Sequence, residues 1–152
     1  MDADIFLNAL EKLLKQSGVE TAALPGVEPQ IGHTLRTLLP VTEKGDKVLT
    51  EFMMAEYTDD VLLLQIYTTM IMEIGPGYDS LKDAILEWNL TDPFGAFGIY
   101  TQERQLFHKY TYPVPADVEP EEMADEVYYL TRLILNVIAR RFPEAVQISA
   151  HE

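Results

Sequence analysis

The segment YDSLKDAILEWNLTDPFGAFGIYTQERQLFHKYTYPV, residues 78–114, contains the change of hydrophobic period that decides the fold class. Its first part predicts an amphipathic helix over residues 78–89, because four apolar residues recur at helical spacing. These residues are Leu81, Ala84, Ile85 and Trp88. Asp92-Pro93 ends the helix, since the residue before a proline avoids the helical conformation. The rest of the segment alternates with period two and predicts two strands around a polar turn, the second ended by Pro113 and Pro115.

Three further strands are predicted before this segment. Residues 47–57 and 61–72 alternate around the turn Thr58-Asp59-Asp60, and residues 34–41 form a less regular strand. Apolar side chains occupy both faces of the strand at residues 61–72. We therefore expect helices to cover one face of the sheet, and a second copy or a partner to cover the other.

The outer parts of the chain predict one helix at each end. The first spans residues 3–17, and the last begins at Pro120 and is expected to end at Pro143, with a frayed tail after it. Residues 19–32 are rich in proline and glycine and are interpreted as an irregular connection. The predicted order is helix, three strands, helix, two strands, helix. This is an α+β fold with an antiparallel sheet packed by helices, in a single domain over residues 1–152.

Charge and composition exclude several classes of function. The chain has 11 Lys and Arg against 25 Asp and Glu, a formal net charge of −14. Nucleic acid and anionic membranes both require a basic surface, so neither is an expected partner. A basic protein is compatible with this charge. The absence of cysteine excludes disulfides and cysteine-ligated metals, and it agrees with a cytoplasmic location.

No catalytic or metal-binding pattern is present in the sequence. His33, His108 and His151 have no ligand-spaced partners, so ordinary surface or half-buried histidines are expected. Gly95-Ala96-Phe97-Gly98 lacks the lysine and the following helix of a phosphate-binding loop. The acidic group at residues 119–126 suits the start of a helix, although a metal or a basic peptide could also use it. We expect no enzyme activity and no cofactor.

Aromatic residues are the more informative candidates. Each can belong to the core or to a recognition surface on the outer sheet face, because aromatic side chains often anchor interfaces. The candidate partner-binding residues are Tyr67, Trp88, Phe97, Tyr100 and Tyr110.

With this order of elements, the chain resembles the YbjN-like family of bacterial proteins, which shares the fold of type III secretion chaperones. The resemblance rests on Trp88-Asn89, on Phe94-Gly95-Ala96-Phe97, on Tyr112-Pro113-Val114, and on an acid-started last helix closing at Phe142-Pro143. The family implies a small acidic domain that often dimerises and binds proteins, without catalytic residues.

The leading hypothesis is therefore a cytoplasmic, non-enzymatic protein-binding module with a regulatory or chaperone-like role, which forms a homodimer. Its central helix and its open sheet face are the expected contact surfaces. One alternative is an immunity protein or antagonist that neutralises a basic partner. The other is a small-molecule binder with a pocket between helices and sheet.

Overall fold

The computed structural model describes residues 1–24 and 33–152. The helices are α1 (Ala3–Gln16), α2 (Tyr78–Thr91) and α3 (Pro120–Ala150). The strands are β1 (Glu20–Leu24), β2 (Thr34–Pro40), β3 (Lys47–Thr58), β4 (Val61–Ile71), β5 (Ala96–Tyr100) and β6 (Gln105–Pro115). They form one antiparallel sheet, and the helices pack against it. The predicted α+β class is confirmed.

The strand order of the sheet is β1-β2-β3-β4-β6-β5. The first four strands follow one another as a meander. The chain then leaves the sheet through α2 and returns as the β5–β6 hairpin, which is placed so that β6 pairs with β4 and β5 lies at the edge. The centre of the sheet is therefore made by β3, β4 and β6.

One face of the sheet carries the hydrophobic core. Alternate residues of β2, β3, β4 and β6 point to this face, as the period-two pattern predicted. Phe52 and Ile66 are opposite each other in the register and fully buried there. The helices supply the other half of the core, including Phe6 and Leu10 of α1 and Val127 of α3. Burial of each such side chain contributes about 1.5–3 kcal/mol to folding.

The predicted irregular connection at residues 19–32 was wrong in its first part. Residues 20–24 form β1, which pairs with β2 from Glu20↔Leu38 to Leu24↔Thr34. Four of its five residues are exposed, so the strand shows no alternation of apolar and polar side chains. Periodicity therefore gave no signal for it. Residues 25–32, with their prolines and glycine, lie outside the described residues.

Proline 143 does not end α3, contrary to the prediction from the sequence. The helix continues to Ala150, and the expected frayed tail is wrong. Ala145 and Ser149 are buried in this last part. The Ser149 side chain accepts a hydrogen bond from the Gly75 N–H (2.9 Å), and its carbonyl accepts one from the Gly77 N–H (3.1 Å). A proline inside a helix removes one backbone hydrogen bond. These tertiary contacts compensate for that loss and hold residues 144–150 in the helix.

Candidate functional site

The face of the sheet opposite the core is covered by no helix in the described ranges. We call it the open face. Its side chains meet in register across the strands, and one row runs Leu38, Leu49, Thr69 and Phe107. The next row runs Arg36, Glu51, Tyr67 and Lys109. In the central strands these side chains are half-buried by their neighbours, so much of the surface that they present is apolar.

Aliphatic side chains lie on the β1–β4 side of the open face. Leu24 and Leu38 are each 37% exposed. Leu49 and Met53 of β3 are half-buried on the same face. The Arg36–Glu51 row separates Leu38 and Leu49 from Leu24 and Met53, so the aliphatic side chains form two groups on either side of an ion pair. Partly exposed apolar groups of this kind are a feature of contact sites.

An aromatic cluster forms the β5–β6 side of the open face. The Tyr67 and Phe107 rings stack with centroids 5.0 Å apart, and Tyr100 packs against Phe107 at 5.3 Å. Gly98 lies opposite Phe107 in the register and leaves room for the ring. A Cβ at Gly98 would lie 2.5 Å from the Phe107 Cζ atom. The glycine is therefore needed for close packing and not for an unusual backbone conformation.

Tyr67 in this cluster is a hydrogen-bond donor. Its hydroxyl donates to Gln105 Oε1 over 2.6 Å. Burial, followed by the neighbouring Tyr100 and Glu51, raises the pKa of Tyr67 to about 12. The phenol therefore stays protonated at physiological pH, which suits a structural or recognition role and not that of a general base.

The charges on the open face nearly cancel. Three basic side chains point to it from the described strands, and two acidic ones do. They are Arg36, Lys47 and Lys109, and Glu20 and Glu51. Arg36 Nε donates to Glu51 Oε2 over 2.8 Å, which neutralises the pair. The strand residues of this face thus have a formal charge of +1, and Glu103 of the β5–β6 turn, whose charge acts on Tyr67, offsets it, in a chain whose total is −14.

The five aromatic candidates from the sequence fall on different sides of the sheet. Tyr67 and Tyr100 lie together on the open face, and Tyr100 is 54% exposed. Trp88 and Phe97 are each 4% exposed and pack edge to face in the core, 5.4 Å apart. Tyr110 is half-buried on the core side. These locations support a partner-binding role for the first two only.

Several open-face residues were not identified from the sequence. Leu24 lies in the strand that periodicity missed, and Leu38 lies in the strand whose pattern was least regular. Phe107 belonged to the aromatic group weighed as core or interface but was not among the five candidates, since its stacking on Tyr67 depends on the register of β4 against β6. A glycine two residues from an exposed aromatic, Gly98 before Tyr100, is the local signal that could have indicated this cluster.

The histidines form no catalytic group in the part of the chain that the structure describes. His108 is buried on the core face of β6, opposite Phe97 of β5, whose ring centroid is 5.1 Å away, and neither ring nitrogen has a hydrogen-bond partner in the described ranges. Burial lowers its pKa to about 4, so the ring is neutral near pH 7. His33 Nδ1 lies 2.8 Å from Asp4 Oδ1. Its hydrogen bonds to that carboxylate lower the pKa of Asp4.

Among residues 1–24 and 33–152, no three His, Asp or Glu side chains are grouped so that they could hold a metal ion. Within the same ranges, no helix combines the length and the apolar character needed to cross a bilayer.

No protein-family model matches the chain, and no curated protein is significantly similar to it. The assignment of function therefore depends on the geometry described above.

Proposed function

We propose that this chain is a non-enzymatic protein-binding module of the cytoplasm, with the regulatory or chaperone-like role that the YbjN-like resemblance implies. The observation that supports the proposal is the open face. It is a broad surface with apolar and aromatic side chains and almost no net charge, on a molecule that is otherwise strongly acidic. Surfaces of this composition serve as contact sites for other proteins.

The occupant that we propose for the open face is a second copy of the chain. Two copies each carry a formal charge of −14 and repel each other wherever their acidic surfaces meet. The open face is neutral enough for close approach. A two-fold axis through it would place the same surface of each copy against the other, as in most homodimers.

The size of the face is sufficient for such a dimer. Six strands about 4.8 Å apart, with a mean length of roughly 25 Å, present about 600 Å² per copy. Two copies would then bury about 1,200 Å², at the lower end of the range for specific interfaces. A dimer of moderate affinity is expected.

The test is the molar mass in solution, measured by light scattering and by sedimentation over a wide range of protein concentration. The wild type should form a dimer. The double variant Leu38→Asp/Met53→Asp places two charges on the open face and should be a monomer with an unchanged circular dichroism spectrum. Leu90→Asp is the matched control on α2, the other surface considered for self-association.

Two results would contradict the proposed open-face dimer. One is a wild type that stays monomeric at every concentration. The other is dissociation by Leu90→Asp but not by the open-face variant, which would move the interface to α2.

The second candidate function, neutralisation of a basic partner, is supported by the charge distribution along α3. Residues 117–126 contain six acidic residues and no basic one. Such a surface would speed association with a basic protein and would lose its effect at high salt. Salt-dependent binding of a basic partner by the dimer would favour this function.

A further inference from the structure

Strand β6 extends well beyond its partner at the edge of the sheet. β5 pairs with β6 only from Ala96↔Lys109 to Tyr100↔Gln105. Residues 110–115 of β6 therefore pair with β4 on one side and with no strand of the described chain on the other. The first half of α3 approaches this part of β6 at Tyr112, whose hydroxyl donates to Glu126.

A groove of about 290 Å³ lies between the free edge and the helix. We call it the β6–α3 groove. It is lined by Tyr112, Glu126, Val127, Tyr129, Leu130 and Leu133. Tyr129 is 63% exposed, which is high for so large an aromatic side chain, and Leu133 is half-buried beside it. Apolar side chains thus make up most of the lining, and one carboxylate lies among them.

The sequence around the β6–α3 groove is strongly acidic, and the nearest basic residue of α3 is the exposed Arg132 beside Leu133 at one end of the groove. No lysine or arginine occurs between Lys109 and Arg132 in the sequence. Glu126 accepts a hydrogen bond from the Tyr112 hydroxyl over 3.3 Å and keeps further acceptor positions free. Glu122 lies one helical turn before it on the same side of α3. A ligand for this groove must therefore be basic as well as partly apolar.

The backbone of the free edge adds acceptors but few donors. Pro113 and Pro115 have no N–H to donate to β4. They therefore occupy positions of β6 whose backbone groups face away from β4. Their carbonyl groups point outward in the same direction, and that of Pro115 accepts a hydrogen bond from the Val118 N–H (3.4 Å), so the Pro113 carbonyl is the acceptor proposed for a ligand. An added β-strand needs donors and acceptors in alternation, and beyond the Thr111 N–H this edge cannot provide the donors. Lysine or arginine side chains, which only donate, suit it better.

We propose that the β6–α3 groove binds a basic amphipathic segment of a partner protein. An apolar side chain of that segment lies between Tyr129 and Leu133, and its cationic groups contact Glu122, Glu126 and the carbonyl of Pro113. This inference rests on the proposed protein-binding function and gives it a partner class and a location separate from the dimer interface.

The experiment uses the full chain and a fluorescein-labelled synthetic peptide with lysine and leucine at amphipathic helical spacing. Its counterpart has serine in place of leucine. Fluorescence anisotropy is measured at near-physiological salt. The wild type should bind the leucine peptide, and the serine peptide should bind at least tenfold more weakly, because only the first can fill the apolar part of the groove.

Variants then locate the binding site. Tyr129→Ser/Leu133→Ser should weaken binding of the leucine peptide about tenfold or more, and Glu126→Gln several-fold. Glu87 is an exposed residue of α2, away from the groove. Glu87→Gln removes the same charge as Glu126→Gln, so it serves as the control and should change binding less than twofold. Unchanged thermal melting of each variant shows that the fold is retained.

Three results would overturn the proposal. They are no binding of the leucine peptide, equal binding of the serine peptide, or equal losses from Glu87→Gln and Glu126→Gln, which would indicate attraction by net charge alone. The molar mass of each groove variant in solution tests the groove proposal separately from the proposed open-face dimer. Groove variants should remain dimers, so a failed peptide assay with an intact dimer rejects the groove only.

Discussion

Asp92 and Arg141 form a two-point ion pair, although 49 positions separate them in the sequence. Arg141 Nε donates to Asp92 Oδ2 over 2.7 Å, and Nη2 donates to Oδ1 over 2.8 Å. The same guanidinium lies 5.3 Å from the centre of the Trp88 ring. The pair thus joins the end of α2 to α3 directly above the aromatic part of the core.

Loss of this ion pair should destabilise the protein. The Asp92 side chain is 4% exposed, so Asp92→Asn keeps the shape but leaves Arg141 with only the more exposed Glu144, 3.6 Å from Nη1, as a carboxylate partner. We expect a loss of about 2 kcal/mol in the free energy of unfolding, less than for a fully buried pair because water reaches Arg141. Urea denaturation measures this. Asp79→Asn, which breaks an exposed pair with Lys82, is the control and should cost far less.

The same pair predicts a dependence on acid. The hydrogen bonds from Arg141 hold the pKa of Asp92 below its usual value of 3.8. The stabilisation from Asp92 is therefore fully present above pH 3.8 and is lost as the pH falls through the lower value in the folded state. The difference in stability between wild type and Asp92→Asn should shrink in that range. A difference that is constant down to the lowest pH would contradict this explanation.

His108 should make the protein less stable in mild acid. Burial lowers its pKa from 6.5 to about 4, so between these values the unfolded chain binds a proton that the folded protein does not. The free energy of unfolding should fall by about 3 kcal/mol as the pH drops from 6.5 to 4. Below pH 4, His108 should cause no further change. Urea denaturation across this range should show a smaller fall for His108→Leu. His151→Leu, at an exposed position, should behave as the wild type.

Gly98→Ala should disturb the aromatic cluster of the open face. The added Cβ would lie 2.5 Å from the Phe107 Cζ atom, so the ring must move away from its stacked position on Tyr67. We expect a loss of about 1–2 kcal/mol. In a double-mutant cycle, Phe107→Leu should remove most of this cost, because the smaller side chain leaves space. Additive effects of the two substitutions would show that Phe107 is not the cause.

Gly77→Ala should detach the last part of α3. A Cβ at this position would lie 1.7 Å from the Ile148 carbonyl oxygen, which belongs to the helix backbone and cannot rotate away. We expect a loss of more than about 3 kcal/mol, or cleavage by protease within residues 144–150 before the rest of the chain. Ser149→Ala, which removes one hydrogen bond to Gly75, should cost about 1 kcal/mol. Wild-type protease resistance in Gly77→Ala would contradict this.

The sequence predicted those elements whose pattern of apolar residues is local. The helix at α2 and the strands β3 and β4 follow from the spacing of apolar residues, and they were identified. Strand β1 was missed because its side chains are mostly exposed. The end of α3 was misplaced because Pro143 is a local signal, whereas Ser149 is held by contacts with Gly75 and Gly77, which are more than seventy positions away.

The candidate site could be predicted only in part, because it too depends on contacts between residues that are distant in the sequence. Phe97 and Tyr100 are three residues apart in one strand, so their side chains point to opposite faces of the sheet. Only one of them can lie on the open face, and local sequence does not show which face the helices cover. The contact of Phe97 with Trp88 decides this, and it depends on how α2 returns over β5.

The order of strands in the sheet also determines what is exposed while the chain is being synthesised. Strands β1 to β4 can pair as soon as Ile71 is made, but the second edge of β4 remains unpaired until β6 is complete at Pro115. The intervening 44 residues take roughly 2–9 s at ordinary elongation rates. During that time an eleven-residue apolar strand, Val61–Ile71, presents a free edge suited to intermolecular pairing. Slow elongation or a weakened β5–β6 hairpin would therefore increase aggregation of the nascent chain, even when the finished domain is stable.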